Sequence, residues 1–104
     1  MSGNWERAFD AHDVPVGEVR VATIGDHRIA VCNYDGEFFA VQDVCTHDNG
    51  PLGRGCLEGD EIECPRHGAR FSIRTGAATL MPAVMPVRTF AVRRDGDAIL
   101  VQVP

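Results

Sequence analysis

The sequence contains no lysine, and all ten of its basic residues are arginine. That bias follows genome composition more than function, but the charge balance it leaves is informative. Fifteen acidic residues outweigh the ten arginines, giving a net charge of −5. A basic footprint for nucleic acid or an anionic membrane is therefore missing, whereas a basic protein surface would be a suitable partner. No apolar run approaches the ~20 residues of a membrane span. Residues 1–6 lack the charged-then-apolar pattern of a signal peptide, so a cytoplasmic location is expected. Phosphate-binding glycine loops, a dinucleotide fingerprint and a nucleophile–base pair are absent too, so the chain is not expected to be an enzyme. Cysteine is scarce: in a reducing compartment the four present suit metal ligands or thiols better than disulfides.

A sustained helical period is also lacking, and short alternating runs take its place. Trp5, Arg7 and Phe9 alternate with Glu6 and Ala8 as a first strand, which Asp13-Val14-Pro15-Val16-Gly17 ends. Val19–Ile24 and Arg28–Tyr34 flank a turn at Gly25-Asp26. Asp35-Gly36 is a two-residue hairpin signal leading into Glu37–Gln42. Leu57-Glu58 and Glu61–Glu63 flank Gly59-Asp60, and Arg70–Ile73 and Ala77–Leu80 flank Thr75-Gly76. Two prolines exclude a central strand in Met81–Pro86, which reads as an irregular loop. Val87–Arg94 and Ala98–Val103 form a closing hairpin. At 104 residues this is one domain, and the pattern is an all-β antiparallel sandwich or barrel.

One stretch carries chemistry. Cys45-Thr46-His47 and Cys64-Pro65-Arg66-His67 each offer a thiolate and an imidazole, with sixteen residues between them. Zinc must be weighed, but structural zinc sites generally pair like with like at C-x₂₋₄-C and H-x₃₋₅-H spacings. Mixed pairs suit two adjacent metals, each loop giving its thiolate to one and its imidazole to the other.

C-x-H followed by C-x₂-H at this spacing resembles the Rieske family, in which two histidines replace two cysteines on one iron of a [2Fe–2S] cluster. The resemblance spans roughly 13–103 and includes the prolines of Met81–Pro86, which match the loop shielding the cluster. It implies one [2Fe–2S] cluster as cofactor, with Cys45 and Cys64 on one iron and His47 and His67 on the other. It further implies a cluster-binding subdomain at about 43–80, with the flanking strands as a base.

Departures from the high-potential branch of the family refine the expectation. Members with an extra disulfide carry cysteine where this chain has Gly50 and Arg66. Members with hydroxyl donors to the cluster carry serine and tyrosine where this chain has Ala69 and Phe71. A hydrogen bond to a charged group contributes ~1.5–3 kcal/mol, and ~59 mV corresponds to ~1.4 kcal/mol for one electron. Losing two therefore lowers the potential by roughly 130–250 mV, towards the lower Rieske limit near about −150 mV.

The chain is too short for the mononuclear-iron domain of an oxygenase. Its pattern is similar to the ferredoxin components of bacterial aromatic-ring dioxygenase systems. That implies a soluble, monomeric one-electron carrier between an NAD(P)H-dependent flavin reductase and a terminal oxygenase. The alternatives are a Rieske-type small subunit of an NADH-dependent nitrite reductase and a zinc-stabilised interaction module. Cys32 and Cys56 read as small buried residues, with a disulfide between them as the alternative. Tyr34, Phe38, Phe39, Phe71 and Phe90 read as core, and His12 and His27 as solvent-facing or turn residues.

Overall fold

A computed structural model describes residues 3–46 and 49–104. Among these residues, eleven strands and one short 3₁₀ turn, Ala11–Asp13, make an all-β arrangement of three antiparallel sheets. The first sheet joins β1 (Asn4–Asp10), β11 (Ala98–Val103) and β10 (Val92–Asp95), with β11 in the centre. A second runs in the order β2 (Val19–Ile24), β3 (His27–Tyr34), β4 (Glu37–Gln42) and β9 (Thr89–Phe90). The third is small: β5 (Cys56–Glu58), β6 (Glu61–Glu63), β7 (Arg70–Ser72) and β8 (Ala78–Leu80).

Strand β3 explains why the domain has two cores. Its run Ile29-Ala30-Val31-Cys32 is buried throughout, as expected of a strand covered on both faces. Successive side chains point to opposite sides. Ile29 and Val31 accordingly enter one core with Val14, Ala40, Phe90, Ile99 and Val101. Ala30 and Cys32 enter the other with Val41, Cys45, Leu52, Ile62, Cys64 and Phe71. The β3–β4 ribbon is thus a partition, with the base packed on one side and both cysteine loops on the other. Its hairpin closes at Asp35-Gly36, whose φ values of 54° and 90° are the positive pair that a type I′ turn demands.

Two expectations change here. Val87–Arg94 is not one strand but two, because the chain changes sheets at Ala91. Phe90 pairs with Ala40 in the second sheet, while Val92 pairs with Val101 in the first. The switch lets Phe90 fill the base core between the two sheets, in the manner of strands that turn the corner of a sandwich. In β1 the alternation fails after Arg7, where a bulge shifts the register from Arg7–Leu100 to Phe9–Ile99. Tyr34, Phe38 and Phe39 pack at the margins of the two cores, while Phe71 and Phe90 are buried. Arg74 lies over the rings of Tyr34 and Phe39, with centroid distances of 5.7 and 4.9 Å.

A candidate metal centre in two equivalent loops

Each short motif leaves the end of a strand and turns back on itself. After β4, the Cys45 N–H donates to Gly50 O at 2.7 Å, and Asn49 N–H donates to Cys45 O at 2.7 Å. After β6, the Cys64 N–H donates to Ala69 O at 2.7 Å, and Gly68 N–H donates to Cys64 O at 3.1 Å. The two turns therefore have one backbone plan: each cysteine bonds to the residues four and five positions on. In each, the fourth residue is left-handed, Asn49 at φ 61° and Gly68 at φ 74°. Glycine and asparagine tolerate that conformation best.

Both thiols are buried in one core. Cys45 and Cys64 are 0% and 1% exposed and belong to the same core. The same core holds Leu52, Ile62, Ala69, Phe71 and Ala83. His67 lies at the surface, while His47 falls outside the described residues. Ala69 and Phe71 are wholly buried and bring no hydroxyl. Gly50 and Arg66 preclude a bridge between the loops at those positions.

The proline loop closes over this arrangement. Ala83 and Val87 are buried in the cysteine-containing core, whereas Met81 and Val84 are each 75% exposed. Thr46, between the first cysteine and histidine, donates its hydroxyl to Met85 O at 2.7 Å. Pro51, Pro65, His67 and Met85 are exposed as well.

The remaining candidates separate cleanly. Cys32 and Cys56 are unbridged thiols. Burial pushes the Cys32 thiol up to about 12, so it stays protonated and inert. Cys56, read from sequence as buried, is exposed, because alternation along β5 puts it with Glu58 on the face opposite Leu57. His27 packs edge-on against Phe90 with ring centroids 6.0 Å apart. His12 is exposed in the 3₁₀ turn beside Asp10 and Asp13. Those carboxylates are already engaged, Asp10 by Arg7 and Asp13 by the Asp10 N–H. Sequence reasoning missed the equivalence of Asn49 and Gly68, although two polar or small residues each four positions after a cysteine were the available signal.

Residues 4–91 match the model of the Rieske [2Fe-2S] domain. This chain belongs to that family. The ferredoxin component of biphenyl 2,3-dioxygenase from Rhodococcus jostii RHA1 is 47% identical over 86% of this chain and 83% of its own length. The structure of a Sphingomonas yanoikuyae B1 ferredoxin superimposes with a TM-score of 0.91, at 35% identity, covering 97% of this chain and all of its own. A ferredoxin solved with reduced oxygenase in carbazole 1,9a-dioxygenase gives a TM-score of 0.88 at 33% identity, covering 94% of this chain and 92% of that one. These likenesses favour the electron-carrier expectation over the nitrite-reductase subunit, and family membership replaces the zinc alternative with an iron–sulfur centre.

The described residues fit such a cluster. Two thiols sit in one apolar core, each bonded through its backbone to the residues four and five positions on, and the His67 side chain is exposed. When bound, the cluster supplies reversible one-electron chemistry. The protein's part is to hold thiolate donors in the dry interior, bring imidazole to the surface and shield the loops with Ala83 and its neighbours.

Proposed function

We propose that this chain is a soluble one-electron carrier holding a Rieske-type [2Fe–2S] cluster on Cys45, His47, Cys64 and His67. Electrons enter from an NAD(P)H-dependent flavin reductase and leave to a terminal oxygenase acting on aromatic rings. The observation carrying most weight is the pair of equivalent loops that bury two thiols together and leave His67 exposed. A site built this way separates the cluster from bulk water yet gives it a short route to a partner.

The ferredoxin relatives support the choice of system. The segment 43–80 serves as the cluster-binding subdomain and the remaining strands as its base. Docking uses the rim around His47, Pro51, Pro65, His67 and Pro82, extended by the exposed Met81 and Val84. The carrier works as a cytoplasmic monomer. No helix among the described residues is long and apolar enough to cross a membrane.

The test is a reconstituted chain: NADH, a flavin reductase, this protein and an aromatic-ring oxygenase, with each component omitted in turn. Substrate hydroxylation that depends on this protein is the expected result. Reduction of the oxygenase at the same rate without it would overturn the proposal. A stable one-to-one complex with a nitrite-reducing large subunit would redirect it.

A further inference from the structure

The two cysteine loops are closed by carboxylates of very different character. Glu63, just before Cys64, meets Arg70 at 3.0 Å, and both side chains are 32% exposed. Asp43, two residues before Cys45, has a side chain with no exposed surface. Its Oδ1 accepts the Gly53 N–H at 2.6 Å and its Oδ2 accepts from Arg28 Nη2 at 2.9 Å. The Asp43 N–H in turn donates to Arg28 O at 2.9 Å. Gly53 is where the approach is tightest, since a Cβ there would overlap the Val21 side chain and lie 3.1 Å from Asp43 Oδ1.

Those contacts run on to the second loop. Leu52 is fully buried, and its carbonyl accepts the Gly55 N–H at 2.8 Å. A Cβ on Gly55 would strike the carbonyl oxygen of Glu63, the residue before Cys64. One tight path therefore joins Arg28 on β3 to Asp43, to Gly53 and Gly55, and then to the neighbour of the second cysteine.

A buried carboxylate is an expensive way to tie a loop, and the Glu63–Arg70 pair closes its partner loop without one. The placement of the charge accounts for the difference. Two peptide units separate Asp43 from Cys45, so their Cα atoms are at most about 7.6 Å apart. A charge that close, in surroundings that screen it little, acts on any redox centre held by Cys45. Arg28 opposes it, but its side chain is 60% exposed and solvent weakens its field.

We propose that Asp43 is a positioning residue for the first ligand loop and that its fixed negative charge holds down the reduction potential, with Arg28 as a partial counterweight. This rests on the cluster assignment above. The sign follows from charge alone: reduction adds an electron, and a nearby carboxylate opposes it.

The test uses holoprotein of Asp43→Asn, Asp43→Ala, Arg28→Ala and the double variant Arg28→Ala/Asp43→Asn. Midpoint potential, the EPR signature of the reduced cluster and the rate of cluster loss to a chelator are measured for each. Asp43→Asn keeps an acceptor for Gly53, so it should lose cluster within about twofold of the wild-type rate while its potential moves positive. Arg28→Ala should move it negative by less, and the double variant should lie between. Asp43→Ala should lose cluster at least tenfold faster, with a broadened EPR signal. Shifts of the same sign in the two single variants, or none, would overturn the proposal, including where Asp43→Ala does not accumulate. Equal chelator rates for Asp43→Ala and Asp43→Asn would refute the positioning role. A wild-type protein that takes up no cluster would instead sink the parent assignment.

Discussion

Asn49 and Gly68 do one job in two loops of unlike sequence. Each lies four residues beyond a buried cysteine, adopts positive φ, and donates its N–H to that cysteine's carbonyl oxygen. Among the described residues the two loops thus close with the same two backbone hydrogen bonds, and both cysteines are buried in one core.

Substitutions at these positions should have unequal effects. A Cβ added at Gly68 meets nothing within 4 Å, yet φ is +74°, so Gly68→Ala carries a conformational cost alone, about 1–2 kcal/mol. Asn49→Gly removes a milder strain and should be close to neutral. Chemical denaturation of the two variants should separate their midpoints in that order, and a Gly68→Ala protein as stable as wild type would contradict the equivalence.

Much of this design is legible in the sequence. Asp35-Gly36 demanded a tight hairpin, and the β-branched runs placed β2, β3 and β4. The mixed Cys/His pairs separated a two-metal site from zinc. Part of what escaped depends on contacts made far along the chain. The sheet change at Ala91 is set by where Phe90 finds room in the base core, which no local pattern in Val87–Arg94 announces. Cys56 is exposed because it shares the outer face of β5 with Glu58, and a strand of three residues is too short for that alternation to stand out. The role of Asp43 was hidden by distance, since its partners lie ten and fifteen residues away.

The two cysteines outside the motifs should differ sharply in reactivity. Cys56 is exposed and Cys32 is buried with its thiol pushed up to about 12. A thiol-specific alkylating agent at pH 8 should therefore modify Cys56 and spare Cys32 until the chain unfolds, as peptide mass spectrometry would show.

Cys32 also predicts the direction of alkaline destabilisation. Its folded-state value lies above the ordinary 9.0, so the unfolded chain gives up this proton first. Its contribution is complete below about pH 9 and is lost as pH rises towards about 12, at roughly 1.4 kcal/mol per pH unit. Denaturation measured across that window should show a shallower decline for Cys32→Ala than for wild type. Parallel curves would rule out this thiol as the cause.

Thr46 should control how firmly the proline loop is held. Its hydroxyl is a direct tie from the first loop to Met85, worth about 0.5–1.5 kcal/mol as a neutral hydrogen bond. Thr46→Val keeps the shape and loses the tie, while Thr46→Ser keeps the hydroxyl. Hydrogen exchange and limited proteolysis within Met81–Pro86 should accelerate severalfold in the valine variant and return towards wild type with serine. Equal protection in both would mean that Ala83 packing alone secures the loop.

Ala69 and Phe71 bear on the potential itself. Both are wholly buried in the core that holds Cys45 and Cys64, and neither has a hydroxyl to lend to a cluster. The wild-type midpoint should then lie near the lower Rieske limit of about −150 mV, and a value above zero would contradict this account. Ala69→Ser is the gentler of the two reversals, because it adds one oxygen where the backbone is already fixed by the Cys64–Ala69 bond. One charge-assisted hydrogen bond of about 1.5–3 kcal/mol corresponds to roughly 60–130 mV, so voltammetry should find Ala69→Ser more positive by that amount. Phe71→Tyr should move the same way with lower stability, since its ring has no exposed surface and the new hydroxyl must find a partner in a packed core. A negative shift in Ala69→Ser would show that the low potential is set elsewhere, with the buried charge of Asp43 as the next determinant to test.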